Sequence, residues 1–202
     1  MSDPIVDLNI RSLDRGGAPV LRDIALTLRR GETLALTGPS GIGKTSLLRA
    51  VAGLESDYDG HCTINGAVGM VFQEPTLLPW RTVAQNISLT PSATDPEAAL
   101  AAVGLADRAD AFPSQLSLGQ QRRLSLSRAF AVNPDLLLLD EPFVSLDPEL
   151  VIEMMDLFTR LRDANDVATI LVTHVEAEAR KLSTRMITLG GQPATITADE
   201  TL

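Results

Sequence analysis

Cysteine is nearly missing from this chain: Cys62 is the single one among 202 residues, so no internal disulfide braces the fold, and the thiol count suits a reducing compartment. Aromatic residues make up only 3% of the sequence, and none precedes Tyr58. Long apolar runs are absent too. A stretch such as Leu136-Leu137-Leu138-Leu139 falls far short of the roughly 20 residues needed to cross a bilayer, which excludes a membrane-spanning helix. Basic residues are in the minority, 17 against 26 acidic, and the net charge of −9 sets the whole-protein field against phosphate backbones. Nucleic acid is therefore not expected as the main partner, a local basic patch being the only route around that argument. The start, Met1-Ser2-Asp3-Pro4, lacks the basic residues and apolar run of a secretory signal, so a cytosolic site of action is expected.

What is present is the composition of a soluble globular protein, 45% apolar and 21% charged, long enough for one large domain or a core with a subdomain. Strand-like and helix-like apolar patterns alternate, which argues for an α/β architecture. Residues 5–10 and 21–28 read as an antiparallel pair around the turn at Arg15-Gly16-Gly17-Ala18-Pro19. Residues 33–37 read as a buried strand, and 45–52 as a helix stopped by Gly53. Asn65-Gly66, between residues 62–64 and 68–72, predicts a tight β-hairpin. Residues 75–113, rich in alanine and proline, read as helical, with Asp95-Pro96 starting a helix through 103. Ser117 opens another as a Ser-x-x-Gln capping box with Gln120, and Asn133-Pro134 ends it. Residues 136–139 and 169–172 look like central parallel strands joined by a helix over 148–162, and residues 185–189 and 194–197 like a closing hairpin. His61, near the Gly60 turn, is read as a surface residue.

The chemistry concentrates in a few places. Gly38-Pro39-Ser40-Gly41-Ile42-Gly43-Lys44-Thr45 fits G-x-x-x-x-G-K-[ST], with a buried strand before it and the helix of residues 45–52 after it, so that residues 38–46, Ser46 included, are expected to meet the nucleotide. Glycines let successive N–H groups turn inward, and the helix start adds partial positive charge, which makes an anion seat. Lys44 is expected to reach the β and γ phosphates of a nucleoside triphosphate, and the Thr45 hydroxyl to bind Mg2+. Asp140 and Glu141 follow a fully apolar strand at the sheet edge where ligands sit, Asp140 placed to hold Mg2+ and Glu141 to take a proton from an attacking water. A solvated Asp-Glu turn is the plain alternative. His174 ends the strand at 169–172 in the same way, which suits a γ-phosphate contact or the orienting of water, and Gln73 ends the strand at 68–72 as a neutral ligand for Mg2+ and water.

Leu116-Ser117-Leu118-Gly119-Gln120, closely followed by the Asp-Glu pair, goes beyond a generic phosphate-loop protein. The chain resembles the ATP-binding subunit of ABC transporters. It matches the signature Leu-Ser-Gly-Gly-Gln at four of five positions and carries the phosphate loop, Gln73, Asp140-Glu141, Ser145-Leu146-Asp147 and His174 in family order. The resemblance implies a P-loop NTPase core with a mixed sheet (residues 1–73 and 134–202), an N-terminal antiparallel β subdomain within it, and a small helical subdomain at 74–133 carrying the signature. It implies a head-to-tail dimer of two such chains, in which Ser117, Leu118, Gly119 and Gln120 of one protomer touch ATP held by the loop of the other. Arg122, Arg123 and Arg128 on that helix are read equally as packing or as nucleotide contacts.

Two departures from the pattern stand out. Leu118 occupies a usual glycine position and would be strained there if the position needs positive φ. The family's adenine-stacking aromatic has no counterpart upstream of the phosphate loop, leaving Arg11, Arg15 or Leu13 to meet the base. The stretch from Phe72 to Trp80 resembles importers of small anions such as nitrate, sulfonate and taurine. This implies a membrane permease partner, a periplasmic or extracellular solute-binding protein acting indirectly, and a position on the cytoplasmic face of the inner membrane. Trp80 is read either as an anchor at the permease groove or as a buried residue of the helical subdomain. No regulatory domain is expected after the final hairpin. An exporter or lipid-handling motor remains the alternative. The ATPase head of a DNA-repair machine would need a long coiled coil that the short spacing between Lys44 and Ser117 does not hold, and a small-molecule kinase would leave residues 116–120 unexplained.

Overall fold

The computed structural model describes residues 3–89 and 95–202; Met1 and Ser2 of the start sequence, and residues 90–94 within the expected helical subdomain, lie outside the described residues. Strand β1 (Val6–Arg15) pairs with β2 (Ala18–Leu28) across the Gly16-Gly17 turn, and both sequences alternate so that one face is apolar. Two irregularities change the phase of that alternation. Asp23 sits at φ 49°, and the register of β1 slips between Ile10 and Ser12, so that Leu13 is buried after Val6, Leu8 and Ile10. β3 (Thr33–Thr37) is short and apolar and runs directly into α1 (Lys44–Val51). β4 (Tyr58–Ile64) completes a three-stranded antiparallel sheet in the order β2-β1-β4.

The second sheet has six strands, with β5 (Val68–Val71), β6 (Leu136–Asp140), β7 (Ala168–Val172), β8 (Arg185–Gly190) and β9 (Thr195–Thr201) in the order β5-β6-β7-β3-β8-β9. All neighbours are parallel except β8 and β9, which form the expected closing hairpin. Every residue of β6 and β7 is buried, as unbroken apolar runs covered on both faces should be. One apolar cluster joins the two sheets around α1, and a second lies on the opposite face beneath the helices that follow.

Those helices are α2 (Val83–Ile87), α3 (Pro96–Ala102), α4 (Leu118–Ala131), α5 (Pro148–Asn165) and α6 (Glu176–Leu182). Asp95 caps α3 as expected, and Ser117 with Gln120 caps α4 reciprocally. Thr82 and Gln85 cap α2 with the same box, a local Thr-x-x-Gln signal. Asp147 caps α5 by accepting from the Leu150 amide at 2.9 Å. The observed architecture is thus the α/β phosphate-loop core with a mixed sheet and an antiparallel β layer.

The hairpin expected at Asn65-Gly66 is not formed. β4 pairs with β1 in one sheet and β5 with β6 in the other, so Asn65-Gly66 is a crossover between sheets. Its residues serve tertiary contacts in place of a type I′ turn. The Asn65 amide and side chain donate to the carbonyls of Ile5 and Pro4 at 2.9 and 2.8 Å. The Ala67 amide donates to Asp135, which also accepts from Arg30, and a Cβ on Gly66 would collide with the Asp135 carboxylate. Glycine is needed here for close approach and for its φ of 132°.

Arg30 first, and then the Ala67 amide, hold the Asp135 carboxyl below its usual range. A depressed carboxylate stabilises the fold above its unfolded pKa, and that contribution disappears as pH falls through the lower folded value. Asp135→Ala is expected to cost about 1–2 kcal/mol in urea unfolding at neutral pH, with the gap to the parent protein closing below about pH 4. A gap that stays constant into acid would contradict this account of the crossover.

Candidate functional site

The phosphate loop is shaped by three glycines that other residues could not replace without strain. Gly38, Gly41 and Gly43 adopt φ of 136°, 74° and 115°. A Cβ on Gly38 would lie 2.5 Å from the Leu189 carbonyl oxygen, and one on Gly43 would lie 2.8 Å from Leu21, whereas Gly41 faces open space. Ser40, Gly41, Gly43, Lys44, Thr45 and Ser46 line a cavity of about 380 Å³ together with Gln73, Glu141, Arg15 and Val20. Gly38, Pro39 and Ile42 stand behind this lining: Gly38 packs on β8, Ile42 packs on the core, and the Ile42 amide closes a turn onto Pro39.

Lys44 is only 5% exposed, and its Nζ donates to the Gly38 and Pro39 carbonyls at 2.8 and 2.9 Å. Burial pushes its pKa down, and the nearby carboxylates of Glu141 and Asp140 work against that. Asp140 is buried as well. Desolvation pushes its pKa up, Glu141 adds in the same direction, and the Thr45 hydroxyl, Lys44 and Arg49 oppose it. Thr45 Oγ1 donates to Asp140 Oδ1 at 3.1 Å, which joins the start of α1 to the end of β6. Glu141 has φ 46°, and its amide donates to the Val172 carbonyl at 3.0 Å. Its carboxylate Oε2 lies 3.4 Å from Nδ1 of the exposed His174. The four strand-end residues named from the sequence therefore converge on one edge, with Gln73 and Glu141 on the cavity wall, Asp140 beneath Thr45, and His174 beside Glu141.

The three candidates for a base contact are separated clearly. Leu13 is fully buried in the core, and Arg11 is paired with Asp59 at 2.5 Å. Arg15 lines the cavity, half-exposed and 3.8 Å from Glu55. Val20, which no motif signals, stands next to it because β2 packs over Gly43.

Ser117, Leu118, Gly119 and Gln120 line a second, larger cavity of about 640 Å³ with Ser145, Leu146 and Asp147. It shares no lining residue with the first. The capping box uses the Ser117 and Gln120 amides, at 2.9 and 3.2 Å, so the intervening first-turn amides are the ones a helix leaves without an intrahelical partner. Leu118 is not strained. It is the first residue of α4, absent from the positive-φ residues, and 46% exposed. The steric requirement falls one residue later, where a Cβ on Gly119 would press on Leu150 at 3.0 Å. The signature-helix arginines make protein contacts: Arg122 and Arg128 with main-chain carbonyls, Arg123 with Glu153 at 2.6 Å. His61 is on the surface as expected, and Trp80 is 69% exposed, which removes the buried alternative.

Comparison with known proteins gives a consistent picture. The family described as ABC transporter matches residues 21–144. An aliphatic sulfonates import ATP-binding protein, SsuB 1 of Xanthomonas axonopodis pv. citri, is 44% identical over 214 residues, covering 97% of this chain and 85% of that protein. A protein of the same description from Pseudomonas savastanoi pv. phaseolicola is 41% identical over 202 residues, covering 98% and 85%. Among solved structures, the ATP-binding cassette MJ0796, in a dimeric post-hydrolysis state bound to ADP and Pi, superposes with a TM-score of 0.82 at 26% identity over 98% of both chains.

The glycine geometry predicts an order of tolerance. Gly38→Ala should lose about 2–3 kcal/mol in denaturant unfolding without nucleotide, because it meets backbone, and Gly41→Ala only about 1 kcal/mol, because φ alone opposes it. Equal losses would mean that contact with Leu189 does not shape the loop.

Proposed function

This chain belongs to the ABC transporter family as an ATP-binding, ATP-hydrolysing subunit, and on that premise we propose that two copies drive a membrane permease importing small anions of the sulfonate class. One observation carries the reading: a single chain holds two separate cavities, one at the phosphate loop and one at the start of α4, with no lining residue in common. A head-to-tail pair brings the seat at Ser117 to Gly119 of one copy against nucleotide held by residues 38–46 of the other. The names of the relatives support import of sulfonates, and the exposed Trp80 supports a permease contact at residues 77–80. A solute-binding protein outside the membrane would feed that permease. No helix among the described residues is long and apolar enough to cross a membrane. In this reading the subunit sits on the inner face of the membrane against the permease. The chain divides, on this reading, into a core of residues 1–73 and 134–202 and a helical subdomain of 74–133.

The residues have distinct roles. Lys44 and the loop amides bind the β and γ phosphates. Thr45 Oγ1, Asp140 and the Gln73 side chain offer oxygen donors that would hold Mg2+ beside the phosphates. When bound, Mg2+ neutralises charge on the phosphate oxygens. Glu141 takes the proton of the attacking water, and His174, 3.4 Å from its carboxylate, orients it. Arg15 stacks its guanidinium on the base in place of an aromatic ring.

Glu141→Gln should keep ATP binding, lower turnover by about 100-fold or more, and accumulate an ATP-dependent dimer on gel filtration. Normal hydrolysis by that variant would remove Glu141 from its role. Arg15→Ala should weaken ATP binding about 3–10-fold, and Arg15→Tyr should restore it. Unchanged affinity in titration calorimetry would place the base elsewhere.

A further inference from the structure

Gln73 lies on the wall of the phosphate cavity, yet the segment that carries it is fastened to the signature helix through its main chain. The buried Arg122 guanidinium donates to the Gln73 carbonyl and, at 3.4 Å, to the Val144 carbonyl just before Ser145. Six residues along α4, Arg128 donates to the carbonyls of Thr76 and Pro75 at 3.0 and 3.3 Å and to the Thr76 hydroxyl at 3.1 Å. Thr76 has φ 44°, a conformation that a β-branched residue adopts only when its surroundings impose it. The loop continues to Leu78, whose amide and carbonyl are both bonded to the buried Asn86 of α2, and then to the exposed Trp80.

Stability alone does not explain this arrangement. Arg122 Nε is buried without a hydrogen-bond partner among the described residues, and burial disfavours the charge more than the nearby Glu74 carboxylate favours it, so the cation is a poor substitute for an apolar side chain in a helix core. Its two acceptors belong to different segments, one leading to Gln73 and the other to Ser145 at the second cavity.

We propose that Arg122 and Arg128 are positioning residues that make the placement of Gln73 depend on the seating of α4. A displacement felt at Trp80 then reaches both the phosphate cavity and the Ser117 tip as one movement. The proposal rests on the ATPase reading above. It concerns how the two seats are coupled, and not whether either binds nucleotide.

Trp80, the single tryptophan, supplies the readout. In the full chain, addition of Mg-ATP is expected to change Trp80 emission. Arg122→Lys keeps the positive charge but not the planar fork that spans two carbonyls, and Arg128→Met removes the grip on Pro75 and Thr76. Each should leave the affinity for a fluorescent ATP analogue within about twofold, lower kcat about tenfold with little change in KM, and abolish the Trp80 response. The proposal is overturned if the parent chain binds the analogue but its Trp80 emission ignores Mg-ATP, or if both variants keep the response and turnover. It is also overturned if a variant loses nucleotide binding along with turnover, since the arginine would then merely hold the site together. Should Arg122→Lys fail to fold, Arg128→Met, on a half-buried residue, carries the same test. Failure of the parent chain to bind the analogue would instead sink the ATPase reading, and this coupling with it.

Discussion

Burial of the Lys44 ammonium is the constraint around which the site is organised. A chain with a net charge of −9 cannot draw a triphosphate with its overall field, so attraction must be local and strong at short range. A cation withdrawn from water provides that, because its interactions are less screened than at the surface. The withdrawal is tolerable only because the Gly38 and Pro39 carbonyls accept two hydrogen bonds from it and because Asp140 and Glu141 stand close by. Those carboxylates are in turn costly near one another: Asp140 is buried, and the Glu141 charge adds to its difficulty in ionising. In the proposed reading, bound Mg2+ and phosphate would be the charges that relieve both strains at once.

From this follows the division of labour between two cavities. The carboxyl edge of the sheet carries one cavity, with the carbonyls around Lys44 on its inner side. The second cavity lies at a helix start in a different part of the chain, and no lining residue is shared between them. A single protomer therefore presents each half to the outside. What matters at the second seat is the close packing of Gly119 on Leu150, which draws the tip of α4 down against α5. Leu118, on the outer side of that first turn, adds an exposed apolar side chain without disturbing the backbone.

Features written in a few consecutive residues were legible. The phosphate loop, the Asp95 and Ser117 caps and the buried strands ending in Asp140 and His174 depend on local geometry, and each stands where the pattern places it. Features decided by distant partners were not. Asn65-Gly66 has the composition of a hairpin turn, but Asp135, about seventy residues on, fills the space that a turn would use. The period of β1 puts Leu13 on the outer face until the irregularity near Arg11 reverses the phase, and only the fold separates Leu13, in the core, from Arg15, at the cavity. The arginines of α4 were recognisable as candidates. Their acceptors, being main-chain carbonyls, leave no trace in sequence.

That choice of acceptor has a physical consequence for a part that must move. A buried ion pair broken by displacement leaves an uncompensated charge, with a penalty of several kcal/mol, and so resists motion. A guanidinium fastened to carbonyls is held by partial charges, with the Glu74 carboxylate acting on Arg122 from beyond salt-bridge distance. Arg122 and Arg128 hold four main-chain carbonyls and one hydroxyl between them and no carboxylate. A joint built in this way fixes the direction of Gln73 while keeping the barrier to a small shift low. A segment proposed to join a permease contact to a phosphate contact needs both properties, and a salt bridge in the same place would have supplied only the first.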